Sequence, residues 1–420
     1  MYRIDCDVAI VGAGPAGLSA AVAAKKEGAD KVYVIERDES IGGILQQCIH
    51  PGFGLSYFQE ELTGPEYFGR FAKEAKELGV EFLLNSMVLE IDDKEKNIIC
   101  INEENGMTEV HAKSIILAMG CRERTRGNIQ IPGTRPAGIY TAGSAQRLIN
   151  RQNEMVGKNV VILGSGDIGM IMARRMTLEG AKVLAVIELM DYLAGLTRNK
   201  VQCLDDFNIP LYLSHTITKI HGNLRVEGVT FAKVGPDKKP IKGTEQFIKC
   251  DTLLLSVGLI PENELTRKAG IKINRITKGP EVDQHMQTSA EGVFACGNVV
   301  HVNDLVDNVS TESARAGKYA AINAKTGLTK DVSPVENVTG ENVRYLCPQK
   351  ISKGQTDEKV SLYFRVLHPD TNVTIRAKSG DKVLFSRKAQ RVNPGEMEHV
   401  DFSTADIEGD KVVVEVVKEA

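Results

Sequence analysis

Two glycine-rich motifs of the same design constrain the fold of this chain most strongly. An apolar run, Val8–Val11, precedes Gly12-Ala13-Gly14-Pro15-Ala16-Gly17, and a second run, Val160–Leu163, precedes Gly164-Ser165-Gly166-Asp167-Ile168-Gly169. The first glycine of such a motif allows a tight turn, and the second lets the backbone approach a pyrophosphate at a helix N-terminus. The third lets the helix pack closely on the strand. Each motif therefore predicts a strand–turn–helix unit that binds a dinucleotide.

An acidic residue follows each motif at the same distance. Glu36 lies 19 residues after Gly17, and Glu188 lies 19 residues after Gly169. A carboxylate at the end of the second strand of such a unit accepts hydrogen bonds from ribose hydroxyls. Two complete motifs, each with its acid, predict that the chain holds two dinucleotides.

Length and charge narrow the possible function classes. The chain has 420 residues, a formal net charge of −3 at pH 7 and 42% hydrophobic residues, which suits two or three globular domains. This balance gives no electrostatic basis for binding nucleic acid or an anionic membrane. No apolar run reaches the roughly 18 residues that a membrane helix needs. We therefore expect no nucleic-acid partner, no membrane insertion and no signal peptide.

The cysteines bear on metal binding and on the cellular compartment. All eight are scattered, and no two are spaced as Cys-x-x-Cys. Common zinc sites, iron–sulfur motifs and redox dithiols use that spacing, so we expect no metal site in this chain. Scattered thiols are typical of proteins in the reducing cytoplasm, where we expect this protein.

Residues 340–420 have a different pattern from the rest of the chain. Short alternating runs such as Val360–Val366 and Lys411–Val417 are separated by turn-forming residues, among them His368-Pro369-Asp370 and Asn393-Pro394-Gly395. This spacing predicts a small all-β sandwich. The region contains no cluster of chemistry-bearing residues, which favours a role in packing or interaction.

The order of the motifs resembles the two-dinucleotide-binding-domain flavoproteins of the pyridine nucleotide-disulfide oxidoreductase superfamily. The matching features are the two motifs, the Gly42-Gly43 pair, an apolar strand that ends at Gly120, and the late run at 288–298. The resemblance covers about residues 4–330. It implies an α/β fold of two Rossmann-like domains, in which an NAD-binding domain (123–282) is inserted into an FAD-binding domain (1–122 and 283–330). The β domain, 340–420, follows.

Two further segments, Ile131-Pro132-Gly133 and the run at 138–146, resemble the FAD subunits of multi-subunit amine, opine and cyanide-forming dehydrogenases. They also resemble the flavoprotein paired with glycerol-3-phosphate dehydrogenases. This similarity implies a companion flavoprotein dehydrogenase or an electron-carrier subunit as the partner.

The resemblance also assigns the residues that bind FAD. These are Gly12, Gly14, Pro15, Ala16, Gly17, Glu36, Arg37, Gly42, Gly43, Gly120, Gly297 and Asn298. Asn298 departs from the family, which usually has an aspartate there to bind the ribitol of FAD. Because an amide also hydrogen-bonds a hydroxyl group, FAD binding is still expected.

The second motif is assigned to the nicotinamide cofactor. Its binding residues are Gly164, Gly166, Asp167, Ile168, Gly169, Glu188 and Gly258. A carboxylate at Glu188 repels a 2′-phosphate, and Leu189-Met190-Asp191 supplies no basic group, so NAD(H) is favoured over NADP(H). Arg198 is the residue that could reverse this preference if its loop folds back.

Three residues are candidates for catalysis: Cys48, His50 and His301. The family's disulfide reductases carry a cysteine pair after the glycine pair or in the NAD-binding domain, and this chain has neither. Cys48 and His50 lie where the family places the chain over the flavin ring. Cys48 is a packing residue, a thiol that acts near the flavin, or a peroxidatic cysteine. His301 precedes the last helix, whose N-terminus points at the flavin in this family, and it either transfers protons or has a structural role.

These observations predict an FAD-dependent oxidoreductase that passes electrons between NAD(H) and an external partner without a redox dithiol. One alternative is a self-contained NADH oxidase or peroxidase that uses Cys48. A second, non-enzymatic alternative is a flavin-bearing assembly subunit. An oligomer is compatible with each of these.

Overall fold

The computed structural model describes residues 2–327, 334–354 and 359–418. Contacts within the chain define two units, one formed by residues 1–121, 261–393 and 397–420 and the other by residues 122–260 and 394–396. The domain boundaries expected from the sequence, at residues 122 and 282, stay a prediction. The last residues of the expected FAD domain, 328–330, lie outside the described residues.

The helices in the described part of the chain are α1 (Pro15–Lys26), α2 (Gly64–Glu77), α3 (Arg126–Ile129), α4 (Ala142–Gln152), α5 (Asp167–Leu178), α6 (Thr197–Cys203), α7 (Glu264–Lys268) and α8 (Val306–Thr326). The strands are β1 (Tyr2–Val11), β2 (Val32–Ile35), β3 (Pro51–Phe53), β4 (Leu62–Thr63), β5 (Glu81–Leu83), β6 (Ser86–Asp92), β7 (Asn97–Asn102), β8 (Gly106–Leu117), β9 (Cys121–Glu123), β10 (Ile139–Thr141), β11 (Asn159–Leu163), β12 (Lys182–Ile187), β13 (Leu211–Tyr212), β14 (His215–His221), β15 (Gly228–Lys233), β16 (Gln246–Ile248), β17 (Thr252–Leu255), β18 (Leu259–Pro261), β19 (Val293–Ala295), β20 (Pro334–Thr339), β21 (Val343–Cys347), β22 (Lys350–Ser352), β23 (Lys359–Val366), β24 (Asp370–Ser379), β25 (Lys382–Val392), β26 (Glu398–Ser403) and β27 (Lys411–Lys418).

The first unit is built on a seven-stranded sheet. Its order is β5-β2-β1-β8-β7-β6, and β19 also pairs with β8. The pairs β1/β2, β1/β8, β2/β5 and β8/β19 are parallel, as the crossover connections of a Rossmann unit require. The end of β1, Val8–Val11, is buried, because helices cover a parallel sheet on its faces.

Helices α1 and α8 pack closely in this unit because their contact residues are small. Half of the buried positions of α1, from Ala16 to Ala24, are alanine, and glycine and serine occupy two more. Gly317 of α8 lies so near α1 that a Cβ atom there would be 2.1 Å from the carbonyl oxygen of Ala20. A larger residue would push α8 off α1 and disturb the residues at its N-terminus.

The second unit repeats the same plan on a smaller scale. Its main sheet is wholly parallel, in the order β10-β17-β11-β12-β13. Strand β11 ends at the second glycine-rich motif, and α5 begins within that motif at Asp167. A three-stranded antiparallel sheet, β14-β15-β16, completes the unit.

The C-terminal region forms two sheets around one apolar core. One sheet has the order β22-β20-β27-β24-β25 and the other β21-β23-β26. Alternate residues of the strands face inwards, for example Val412, Val414 and Val416 of β27. The predicted fold class, two Rossmann-like units followed by a strand-rich domain, is confirmed. None of the helices in the described part of the chain combines the length and apolarity needed to span a bilayer.

Candidate functional site

The three glycines of the first motif have different surroundings. Gly12 has a φ of +105°, and a Cβ atom there would lie 2.5 Å from the carbonyl oxygen of Ala118. A Cβ atom at Gly17 would lie 1.8 Å from the carbonyl oxygen of Gly12. A Cβ atom at Gly14, by contrast, would have no atom within 4 Å. Gly12 and Gly17 are thus required by packing, whereas Gly14 faces open space.

The open space at Gly14 adjoins the N-terminus of α1. Gly14 is the N-cap residue, and no side chain hydrogen-bonds the first amide groups of the helix. A helix N-terminus has backbone N–H groups without helical partners and a partial positive charge. The residues present therefore fit the pyrophosphate of a dinucleotide such as FAD, which would supply the missing acceptors.

Glu36 lies against the turn of the first motif. Its carboxylate accepts hydrogen bonds from the amides of Ala13 at 2.8 Å and Asp38 at 2.9 Å. Glu36 is 9% exposed, whereas its neighbour Arg37 is exposed. Two amides hold the carboxylate at the end of β2, the position expected for the acid that binds a ribose.

The glycine pair folds back onto the first motif. The amide of Gly42 donates to the carbonyl oxygen of Ala13 at 2.8 Å. A Cβ atom at Gly43 would lie 2.9 Å from the Cα atom of Gly14, and both glycines of the pair have positive φ, +111° and +54°. The tertiary fold thus brings Gly42 and Gly43 beside the motif.

The late motif, which contains Gly297 and Asn298, lies beside the first motif although it is distant in sequence. Gly297 has a φ of +72°, and a Cβ atom there would lie 2.8 Å from the Cβ atom of Ala16. The side chain of Asn298 accepts from the amide of Asn303 at 2.9 Å and donates to the sulfur of Cys121 at 3.7 Å. Gly120, next to Cys121, has a φ of +70° and no atom within 4 Å of a Cβ position.

His301 is enclosed in a polar cluster. Its Nε2 atom donates to Oε2 of Glu312 at 2.6 Å, and the two side chains are 1% and 3% exposed. Burial by itself lowers the pKa of His301, but the neighbouring Cys347 sulfur and Glu312 carboxylate raise it, and the net pKa is well above its usual value. Burial raises the pKa of the Cys347 thiol.

The same cluster has the residue types of a metal site. Donor atoms of His301, Glu312 and Cys347 lie within 4.8 Å of one another, the one such group of three or more in the part of the chain that the structure describes. Two tetrahedral zinc ligands at usual bond lengths stand about 3.4 Å apart. The 2.6 Å between Nε2 and Oε2 is the length of a direct hydrogen bond, so the geometry is that of an ion pair. The expectation that no metal binds stays a prediction.

Cys48 and His50 lie in the loop after the glycine pair. The thiol of Cys48 donates to the carbonyl oxygen of Ile44 at 3.3 Å, and Nδ1 of His50 lies 3.0 Å from the carbonyl oxygen of Pro51. Although Cys48 is partly exposed as a residue, burial of its thiol raises the pKa to about 12. A thiol with this pKa is protonated at neutral pH and is a poor nucleophile.

The glycines of the second motif pack against the end of β17. A Cβ atom at Gly164, whose φ is +99°, would lie 2.1 Å from the carbonyl oxygen of Ser256. One at Gly169 would lie 2.7 Å from the Cβ atom of Ser256, and one at Gly166 would lie 3.1 Å from its hydroxyl oxygen. Gly258, with a φ of +100°, follows Ser256 in the turn after β17.

Glu188 occupies the place in the second unit that Glu36 has in the first. It accepts hydrogen bonds from the amide and the hydroxyl of Ser165 at 2.8 and 2.7 Å, and from the amide of Met190 at 2.9 Å. It is 5% exposed. Each carboxylate accepts from the amide that follows the first glycine of its motif, Ala13 or Ser165, and from the amide two residues after itself. The two carboxylates are therefore structural equivalents.

A loop covers the start of α5 in the second unit. Asp167, next to Ile168 at the start of the helix, accepts from the amide of Leu196 at 2.8 Å and from the side chain of Asn199 at 2.7 Å. Arg198, in the first turn of α6, is exposed. The segment 194–199 lies over the motif, and Ser165 holds it together with Asp167, because the Ser165 hydroxyl accepts from the amide of Ala194 at 3.0 Å.

Several residues of the site were not found from the sequence. Glu312 bonds both Gly297 and His301, and Asp307 accepts from the amides of Gly54, Ser56 and Tyr57. Both are acidic residues on the buried face of α8. The periodicity of that helix, which alternates buried positions three and four residues apart, was the available signal.

Comparisons with known proteins agree with this architecture. Residues 6–316 match the family model described as pyridine nucleotide-disulphide oxidoreductase. An NADH oxidase of Methanocaldococcus jannaschii is 26% identical over 78% of this chain and 72% of its own length. The hydrogen cyanide synthase subunit HcnB of Pseudomonas protegens is 28% identical over 63% of this chain and 59% of its own length.

A solved structure shows the same fold. The thioredoxin reductase of T. acidophilum is 26% identical, with a TM-score of 0.63 over 76% of this chain and 99% of the reductase. The matched region contains both glycine-rich motifs. The chain therefore belongs to the pyridine nucleotide-disulphide oxidoreductase family and is an oxidoreductase that uses FAD and NAD(P)H.

Proposed function

We propose that the first unit holds FAD, that the second holds NAD(H), and that the electrons leave the chain to an external partner. The observation that carries this proposal concerns the cysteines. All eight lie among the described residues, and no disulfide joins any two of them. No two of them have the close sequence spacing of the cysteine pair that the family's disulfide reductases use, which favours an external acceptor over an internal dithiol.

Each unit contributes binding groups of its own to this function. In the first, Gly14 and the α1 N-terminus hold the pyrophosphate, Glu36 holds the adenosine ribose, and Gly297 with Asn298 holds the ribitol. In the second, Gly166 and the α5 N-terminus hold the pyrophosphate, and Glu188 holds the ribose. When bound, FAD accepts a hydride from the nicotinamide and hands electrons onwards.

Glu188 supports a preference for NAD(H). Its carboxylate is buried and is fixed by Ser165 and Met190. A 2′-phosphate brought to this carboxylate would meet a negative charge, and the residues that follow in sequence, Leu189, Met190 and Asp191, include no basic side chain.

Two observations support a protein partner. HcnB is a subunit of hydrogen cyanide synthase, and no two cysteines of this chain have the spacing of a redox dithiol; both observations favour transfer to another chain. The companion is a flavoprotein dehydrogenase or an electron carrier.

The self-contained oxidase or peroxidase is the second candidate. The name of the M. jannaschii relative, NADH oxidase, favours it. A peroxidatic cysteine, however, reacts as a thiolate, and burial raises the pKa of Cys48 to about 12. The non-enzymatic alternative has no support from the comparisons.

The deciding experiment separates the reduction of the flavin from its reoxidation. We expect NADH to bleach the bound flavin rapidly without oxygen, and oxygen or peroxide to reoxidise it much more slowly than an artificial dye does. A protein that co-purifies with the native chain should restore fast reoxidation when it is added back. Turnover with oxygen or peroxide that is as fast as flavin reduction would show the chain to be self-contained.

A further inference from the structure

The segment between Gly297 and α8 is held by the C-terminal β domain. Arg365 of β23 donates to the carbonyl oxygen of Val302 at 3.1 Å, and its guanidinium lies 3.8 Å from the carboxylate of Asp304. The amide of Met397 donates to Asp304 at 2.9 Å. The β domain thus binds this segment through its backbone and through a carboxylate.

The same domain encloses His301. The rings of Tyr345 and Tyr363 lie 6.2 and 5.9 Å from the imidazole, measured between ring centroids. The sulfur of Cys347 completes the surroundings. Three side chains of the β domain therefore keep water away from a histidine that belongs to the Rossmann unit.

Glu312 connects this enclosed histidine to the cofactor-binding motif. Its Oε1 atom accepts from the amide of Gly297 at 2.7 Å, while its Oε2 atom accepts from Nε2 of His301 at 2.6 Å. A carboxylate buried to this degree is stable only with partners for both oxygens. Loss of either bond therefore disturbs the other.

Gly297 has little freedom to move. Its φ of +72° and the 2.8 Å between a Cβ position and Ala16 show that the backbone there lies directly against the start of α1. Asn298, the next residue, is fixed by the amide of Asn303 at 2.9 Å. A shift of Gly297 moves the residue expected to bind the ribitol.

We propose that Glu312 is a positioning residue for FAD, and that through His301 it makes the β domain a working part of the flavin site. The carboxylate holds the Gly297 amide, and the β domain holds the segment from His301 to Asp304, so that Gly297 and Asn298 keep the conformation that binds FAD. This inference rests on the proposed function, since it takes the first unit to be the one that holds FAD. It gives the β domain a role beyond packing.

Two substitutions of Glu312 separate its hydrogen-bonding from its charge. Glu312→Met removes both acceptor atoms at similar volume. Glu312→Gln keeps an amide oxygen for Gly297, and its NH₂ group can donate to a neutral His301. From the β domain side, Arg365→Met removes the bonds to Val302 and Asp304. Glu415→Gln is the matched control, since Glu415 pairs with Arg376 and Lys378 inside the β domain.

The affinity for FAD is measured by titrating the deflavinated full-length protein, and the visible circular dichroism of the bound flavin reports its surroundings. We expect Glu312→Met to raise the dissociation constant at least about tenfold and to change the flavin signal. Arg365→Met should raise the constant several-fold, Glu312→Gln should stay within about threefold of the parent, and Glu415→Gln should match the parent.

Rescue by glutamine marks the role as hydrogen-bonding, because a general loss of stability would not discriminate between Gln and Met in this way. Parental affinity and flavin signal in a folded Glu312→Met protein would overturn the inference. If that variant does not fold, parental affinity in Arg365→Met would overturn it. Failure of the parent itself to bind FAD is a different result, which would contradict the proposed function.

Discussion

The carboxylate of Glu188 accepts hydrogen bonds from both the amide and the hydroxyl of Ser165, at 2.8 and 2.7 Å. In the first unit, Glu36 accepts only an amide bond from the equivalent residue, Ala13. The same scaffold is therefore used twice, and the hydroxyl gives the second carboxylate an additional donor. The additional donor holds the Glu188 carboxylate at the place where we propose that the ribose of the nicotinamide cofactor binds.

Replacing Glu188 should weaken the choice between the two nicotinamide cofactors. We expect the parent to be reduced far more efficiently by NADH than by NADPH in anaerobic stopped-flow measurements. Glu188→Ala should lower the efficiency of flavin reduction by NADH. It should also reduce the ratio of the NADH efficiency to the NADPH efficiency by at least about tenfold, because the repulsion of the 2′-phosphate is removed. Glu36→Ala serves as the comparison and should leave the ratio unchanged. A parent that uses NADPH as efficiently as NADH would contradict the role given to Glu188.

Gly14 and Gly17 should respond differently to a side chain. At Gly14, whose φ of −72° is open to any residue, valine should lower the stability of the apoprotein by no more than about 1 kcal/mol, because valine is a poorer N-cap residue than glycine, while FAD binding is lost. At Gly17, even alanine meets the Gly12 carbonyl oxygen at 1.8 Å and should destabilise the fold by about 1–3 kcal/mol. Denaturant unfolding and the FAD content of the purified proteins measure the two effects. A Gly14→Val protein that retains its flavin would place the pyrophosphate elsewhere.

The thiol of Cys48 should react slowly with electrophiles. With a pKa of about 12, about one thiol in ten thousand is ionised at pH 8. We expect iodoacetamide to alkylate Cys48 slowly in the folded protein and faster in the unfolded protein, which serves as the reference. Peptide mass spectrometry measures both rates. Cys48→Ser should retain most of the NADH-to-dye activity, and both forms should show only trivial peroxide turnover. Peroxide reduction that disappears in Cys48→Ser would establish the peroxidase alternative.

The His301–Glu312 pair should make the stability of the folded protein fall as the pH rises above neutrality. Its partners raise the pKa of His301 in the folded state above that of the unfolded chain. The pair therefore contributes stability that is fully present below the unfolded pKa, near 6.5, and is lost as the pH rises through the higher folded value. Thermal unfolding from pH 6 to pH 10 should show this decline in the parent and a weaker one in His301→Gln. Cys347 and Tyr363 lie near the imidazole, and burial raises the pKa of each. Both groups therefore also lower the stability as the pH rises, so Cys347→Ser is the necessary control. Equal pH profiles for parent and His301→Gln would remove His301 as the cause.

The sequence by itself determined the two Rossmann units. Glycines in the turns after β1 and β11, with acids at a fixed distance, follow from local geometry: the turn requires positive φ at Gly12 and Gly164, and the helix begins directly afterwards. The strand-rich character of the C-terminal region also follows from local alternation. The motif also predicted a separate role for each glycine, and the structure adds the contacts behind those roles: Gly17 packs against the Gly12 carbonyl oxygen, whereas Gly14 faces open space.

The tertiary structure alone decided the relationships between residues far apart in sequence. No spacing in the chain indicates that Glu312 joins Gly297 to His301, or that Arg365 and Met397 of the β domain hold the segment that precedes α8. The chemical state of Cys48 was open in the sequence because the pKa of a thiol depends on its surroundings, which residues distant in sequence provide. Turn and strand propensities are local, whereas burial and the pairing of buried charges depend on which elements the fold brings together.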